Sequence, residues 1–214
     1  MESLTTENWS IVTGCERLTP GCDSCPSYWE YLAAGKNYNP IFNQEEINAP
    51  LDNHTPTRYT VALGSDLFHE SVTRESLESV FNVMNKARWH LFEVVTKRAE
   101  RMFCVTQGFE WGKNISLAVA IENKNYKWRL DYLRQTGAKT KAVSMVPLLG
   151  PMGELDLSGI DLVGVQAETW GLKREMAQEW ADDIKRQCLE QSVFFVSGST
   201  DIYSDKGVLC QGPE

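Results

Sequence analysis

Short runs of β-branched and aromatic residues recur along the chain, and most lead into a segment whose apolar positions fall at helical spacing. That alternation predicts a largely parallel sheet with helices laid outside it. Trp9–Thr13 reads as a first strand, and a helical piece follows around Tyr28–Ala34. The stretch 37–57, with Asn39, Pro40, Asn43, Pro50 and Asp52, reads as a loop, or a loop with one helical turn, and as a natural lid. The pattern then becomes regular. Strands are expected at Arg58–Gly64, His90–Val95, Ile115–Ile121, Ala142–Val146, Asp161–Gln166 and Val193–Val196. Helices are expected at Arg74–Ala87, Thr96–Phe103, Asn125–Gln135 and Glu175–Glu190, the first with Leu77, Val80, Phe81 and Met84 on one face.

Seven short strands predict an α/β fold, a partial (β/α) barrel of about six to seven parallel strands, since a full eight-unit barrel typically needs ~250 residues. A doubly wound sheet shares the alternation and stays open as the other architecture. One domain is expected over 1–214. Residues 1–36 hold the first strand, a cysteine loop and the first helix, 37–57 the loop or lid, 58–198 the repeating units, and 199–214 a tail. No G-x-G-x-x-G or Walker loop follows any strand, which argues against nucleotide binding of those kinds.

Charge narrows the partners. Lysine and arginine number 21 against 29 acidic residues, for a net charge of −8, so no broad basic footprint for duplex DNA exists. Contact with a nucleic-acid backbone would rest on a local set such as Lys36, Arg58, Lys97, Arg98, Arg101 and Lys113. No apolar run approaches the roughly 18 residues of a membrane span, and Met1–Thr6 lacks the features of a signal peptide, so a cytoplasmic protein with no membrane partner is expected. In that reducing setting the six cysteines favour metal or redox use over disulfides.

Three of the six stand close together, Cys15, Cys22 and Cys25, in a Cys-x6-Cys-x2-Cys loop whose Gly14, Pro20 and Gly21 let the chain fold back. Thiolates suit zinc and iron–sulfur clusters. Structural zinc takes four closed ligands, and neither a second Cys-x2-Cys nor a paired histidine motif is present; His54, His69 and His90 are scattered. A cubane held by three thiolates leaves one iron open to a small molecule, whereas most electron-transfer clusters use a fourth cysteine. Cys104, Cys188 and Cys210 are the candidates for that fourth ligand, each also readable as an ordinary core or surface thiol, and three unligated cysteines are the bland alternative.

The segments Trp9-x-x-Val12-Thr13-Gly14-Cys15 and Pro20-Gly21-Cys22-x-x-Cys25 resemble the opening of a phage-associated three-cysteine family of unknown function, distantly similar to radical S-adenosylmethionine (SAM) enzymes. The resemblance continues through Ser65–Glu70, Thr96–Met102, Glu122-Asn123 and Pro147–Pro151, in order. Three departures stand out. Pro26 replaces the usual aromatic after the third cysteine, Val146 an acidic residue, and Gln166-Ala167-Glu168-Thr169-Trp170 a glycine-rich block.

The resemblance implies a 4Fe–4S cluster on Cys15, Cys22 and Cys25, SAM on its open iron, and a 5′-deoxyadenosyl radical that takes hydrogen from substrate. Ser65 and Asp66 are then candidates for the SAM amine, Lys97 or Arg98 for its carboxylate, and Glu122 or Asn123 for its ribose. Asp66 is also readable as a helix cap, with Ser71 and Thr73 as rivals, and Lys97-Arg98 as a solvated face. Glu168, Trp170 and His69 are substrate-side candidates, with barrel packing the other reading of Trp170 and a structural or solvated side chain that of His69. Tyr28, Trp29 and Tyr31 form an aromatic patch able to stack a base or to pack in the core.

The expected activity is modification of a nucleic-acid base, such as hypermodified thymine in phage DNA, by isomerase- or lyase-type rearrangement of an attached amino-acid group. Partners would be SAM, a nucleic-acid or nucleotide substrate and an external electron donor, in the cytoplasm of an infected bacterial host if the gene is a phage's. A photoproduct-lyase-like repair enzyme, a non-catalytic three-cysteine metal-binding protein and an electron-transfer protein are the alternatives.

Overall fold

The computed structural model describes residues 4–198. Cys210 and the 199–214 tail lie outside the described residues. In chain order the elements are β1 (Thr5–Trp9), β2 (Val12–Thr13), α1 (Pro26–Ala33), β3 (Ile41–Phe42), α2 (Ala49–Asp52), β4 (Thr57–Val61), α3 (Arg74–Lys86) and β5 (Leu91–Thr96). There follow α4 (Ala99–Val105), β6 (Ile115–Ala120), α5 (Arg129–Arg134), β7 (Thr140–Met145), β8 (Leu162–Val165), α6 (Gln178–Glu190) and β9 (Phe194–Ser197).

Seven strands form one sheet in the order β1-β4-β5-β6-β7-β8-β9, and every neighbouring pair is parallel. The order never reverses, so the chain winds in one direction as in a (β/α) barrel, and the switch point of a doubly wound sheet is lacking. Among the described residues β1 and β9 are edges that do not meet, so the barrel is partial. The central strand β6 is buried at all its positions, as expected of a parallel strand covered on both faces. Helix α3 buries Leu77, Val80, Phe81 and Met84 as its spacing predicts, and Thr73 caps it by accepting from Ser76 N–H. No helix among the described residues is long and apolar enough to cross a membrane.

Several boundaries differ from the sequence reading. Helix α5 starts at Arg129, after a 3-10 turn at Lys124–Tyr126, rather than at Asn125, and β4 ends at Val61 rather than Gly64. Three further differences lie in the segments that lead to the strand ends. The first sheet strand is Thr5–Trp9, not Trp9–Thr13. Its first four side chains are exposed, so an edge strand held by its ladder to β4 carries no alternation to read. Val12 and Thr13 instead pair antiparallel with Phe42 and Ile41, which makes a small ribbon inside the supposed loop. Residues 37–57 thus contain β3, a 3-10 turn at Gln44–Glu46 and α2. They begin beside the cysteine loop, where Cys15 N–H donates to Tyr38 O at 2.9 Å, and end against His90 at the opposite end of the strands, 2.8 Å from Pro50 O. Finally, Thr96 closes β5 rather than opening a helix, which starts at Ala99.

Candidate functional site

The C-terminal ends of the strands surround a cavity of about 590 Å³, and Cys15, Cys22 and Cys25 all line it. The cysteine loop is held flush by two glycines. At Gly14 (φ +73°) a Cβ would lie 2.2 Å from the backbone oxygen of Asn39, and at Gly21 it would lie 2.5 Å from Glu122 Oε1. Pro20 opens a 3-10 turn over Pro20–Ser24 that carries Cys22, and Cys25 leads into α1.

Cys22 rests on a buried polar floor. Lys97 Nζ donates to Thr19 Oγ1 at 2.9 Å, to Cys22 Sγ at 3.2 Å and to Glu122 Oε1, which uses the three protons of an ammonium. Glu122 is fully buried, also accepts from Thr19, and has Arg129 Nη1 3.8 Å from its other oxygen. Burial alone would raise the Cys22 thiol, but the Lys97 charge, Thr19 and nearby backbone amides outweigh it and hold the thiol below its ordinary value.

Cys15 faces a different surround. Asp66 Oδ1 accepts from Phe68 N–H and Thr96 Oγ1, and Oδ2 from Lys97 N–H and Arg98 Nη1 at 3.2 Å, so its carboxylate capacity is filled. Arg98 also donates from Nε to Glu70 at 2.8 Å, and its Nη1 lies 4.0 Å from Cys15 Sγ. Its buried Nη2 has no hydrogen-bond partner. Burial and the Asp66 charge push the Cys15 thiol up to about 11. Ser65 donates its hydroxyl proton to Gly14 O and keeps acceptor lone pairs at the cavity wall.

A family model described as a protein of unknown function (DUF5131) matches residues 3–200. The chain belongs to that family. No curated protein matches it. Among solved structures it is similar to spore photoproduct lyase complexed with dinucleoside spore photoproduct, with 14% identity and a TM-score of 0.49 over 84% of this chain and 60% of that one. The chain therefore spans less than two thirds of that enzyme's length.

The other candidates of this family member are placed unevenly. Glu168 and Trp170 line the cavity with the cysteines. Glu168 is engaged by Arg174, which donates to it from its backbone N–H and from Nε, both at 2.9 Å, while Arg174 Nη2 donates to Pro20 O at 2.8 Å. Burial would raise Glu168, yet the Arg174 hydrogen bonds pull it down to about 2. Trp170 is exposed and is shared with a neighbouring cavity that also holds Trp29 and Lys173. Asn123 caps the 3-10 turn at Lys124–Tyr126 by accepting from Asn125 N–H, and it does not line the cavity.

His69 stands behind the wall, with Nε2 3.8 Å from both Glu16 and Glu70. Among the described residues this is the only trio of His, Cys, Asp or Glu side chains with ligand atoms all within 4.8 Å. It does not read as a cation site: Nδ1 accepts from Ser71 N–H at 3.1 Å, so Nε2 carries the ring proton and offers no lone pair. Cys104 is exposed in α4, Cys188 is buried in α6, and neither lines the cavity.

Sequence reasoning missed Thr19, Tyr38, Arg129 and Arg174. Thr19 lay inside the cysteine loop, three positions before Cys22, and was readable there. Tyr38 donates to Gly64 O and sits 3.9 Å from Cys25 Sγ, a contact no local pattern announces. The expected phosphate-binding cations do not form one surface. Arg58 pairs with Glu93, Arg101 donates to Val72 O, and Lys113 precedes β6 at the far end of the strands.

Proposed function

We propose that this chain is a radical SAM enzyme whose cluster is held by Cys15, Cys22 and Cys25. The observation that carries the reading is the placement of three soft donors around one cavity, with no fourth cysteine lining it among the described residues. The three sulfurs do not all lie within 4.8 Å of one another, whereas a single tetrahedral zinc would hold its thiolates about 3.8 Å apart, given Zn–S bonds of ~2.3 Å. The wider spread suits a multi-iron cluster. When bound, cluster and SAM supply one-electron cleavage of a sulfonium and hydrogen abstraction from substrate.

The chain's own residues then divide by what they have left to offer. Arg98, whose Nη2 has no hydrogen-bond partner and faces Glu16 at 3.9 Å, is the group for the SAM carboxylate, and Ser65, with free lone pairs, is the acceptor for its amine. Asp66 orients Arg98 and Lys97 supports the loop, because their hydrogen-bonding groups are already engaged within the protein, while Glu122 supports it from beneath, with Oε1 bonded to Lys97 and Thr19 and Oε2 3.8 Å from Arg129. Iron and sulfide analysis after anaerobic reconstitution should find about four irons per chain, with an electron paramagnetic resonance signal perturbed by SAM. Colourless, zinc-containing or SAM-indifferent protein would overturn the assignment.

The substrate we propose is a nucleic-acid base, with thymine carrying an amino-acid group in phage DNA as the specific form. The exposed indoles of Trp29 and Trp170, with Lys173 beside them, offer stacking surface and a cation next to the cavity. Titration with a thymidine oligonucleotide should quench tryptophan fluorescence, less so in W29A and W170A; no quenching in the native protein would remove this substrate class.

A further inference from the structure

Resting on that cluster assignment, we infer that Lys97, fixed by Glu122, sets the reduction potential of the cluster through Cys22. The three cysteines are not equivalent. Cys22 alone has an ammonium at hydrogen-bonding distance, Lys97 Nζ at 3.2 Å. The cation nearest Cys15 is 4.0 Å away and is shared with Asp66 and Glu70. The donor nearest Cys25, the Tyr38 hydroxyl at 3.9 Å, gives its proton to Gly64 O.

Lys97 is also fixed in place. Its Glu122 partner is sealed beneath Gly21, bonded to Thr19 and flanked by Arg129, so the ammonium cannot swing to solvent without leaving a buried carboxylate with one cation fewer. Reduction adds negative charge to a cluster, and both a nearby cation and a hydrogen bond to a ligating sulfur favour the reduced state. Lys97 supplies both at one corner. It acts as a positioning and tuning group.

The test is a redox titration of reconstituted protein followed by electron paramagnetic resonance, on the native chain, K97M, K97R and E122Q. At the native midpoint, K97M should show a roughly tenfold lower ratio of reduced to oxidised cluster, a shift of about 59 mV for one electron. K97R should return close to the native midpoint. E122Q, which leaves the ammonium less compensated, should shift the other way. A loaded K97M with the native midpoint overturns the inference. If K97M does not retain iron, E122Q decides, and an unchanged or lowered midpoint there overturns it. A native protein that takes up no iron removes the cluster assignment itself, and this inference with it.

Discussion

Lys97 and Arg98 are adjacent at the end of β5 and serve opposite sides of one mouth. Lys97 reaches Cys22 and answers a single carboxylate, Glu122, which has a second cation in Arg129. Arg98 reaches toward Cys15 but lies among three carboxylates, Asp66, Glu70 and, at 3.9 Å, Glu16. The result is a locally cationic corner at Cys22 and a locally anionic one at Cys15, with the two thiols pushed in opposite directions. One strand end therefore builds a polarised cradle. Its Cys22 side has the Lys97 donors engaged internally, and its Cys15 side has one buried guanidinium nitrogen without a hydrogen-bond partner, 3.9 Å from Glu16.

The largest effect should come from removing the donors themselves. C15A, C22A or C25A should each lower reconstituted iron from about four per chain to below one, because a three-thiolate cluster has no spare protein ligand at the mouth. A variant that kept full iron would show that a residue outside this trio ligates the cluster. Next come the two glycines that seat the loop. G14A meets both a positive φ and a backbone oxygen, and should cost about 3 kcal/mol. G21A meets a side chain rather than backbone, but the Glu122 carboxylate it meets is buried and bonded to Lys97 and Thr19, so it should cost somewhat less, about 2 kcal/mol. Urea denaturation of the two variants measures this, and equal losses would mean the two sides are seated alike.

The ligand side gives a smaller contrast. R98M should weaken SAM binding to the reconstituted protein by at least about tenfold, or 1.4 kcal/mol, while K97M should change it by less than about threefold. Calorimetric titration of both variants reads the difference directly. If K97M suffers the larger loss, the roles assigned to the two cations must be exchanged.

Much of this fold was legible because its signals are local. The Leu77, Val80, Phe81 and Met84 stripe specified α3, and apolar runs such as Ile115–Ile121 located β6 to within a residue. What the sequence hid depends on partners far along the chain. β1 is a polar edge held by β4, and β2 is two residues long and exists only by pairing with Ile41–Phe42. The three cysteines were visible as a motif, and Ser65, Asp66, Lys97 and Arg98 as blocks at strand ends. Their division of labour was not. Whether Lys97 or Arg98 has a donor left over is decided by Thr19 and Glu122, residues 78 and 25 positions from Lys97.

The smallest predicted effect tests whether the far wall also reinforces the Cys22 side. Arg174 joins Glu168 to Pro20 O, at the start of the turn that carries Cys22, so this ion pair ties the end of β8 to the cysteine loop. Glu168 is held at about 2 in the folded chain against an ordinary value of 4.5, so it contributes stability above pH 4.5 that is lost as pH falls toward 2. The side chain of Arg174 is about one third exposed, so solvent screening should reduce the contribution to about 1 kcal/mol. Apo protein unfolded in urea at pH 7 and pH 3 should show a native-over-E168Q advantage of that size at pH 7 and a smaller one at pH 3. Subtracting E168Q cancels the other carboxylates, so an undiminished gap at pH 3 would show that Glu168 acts through its shape rather than its charge.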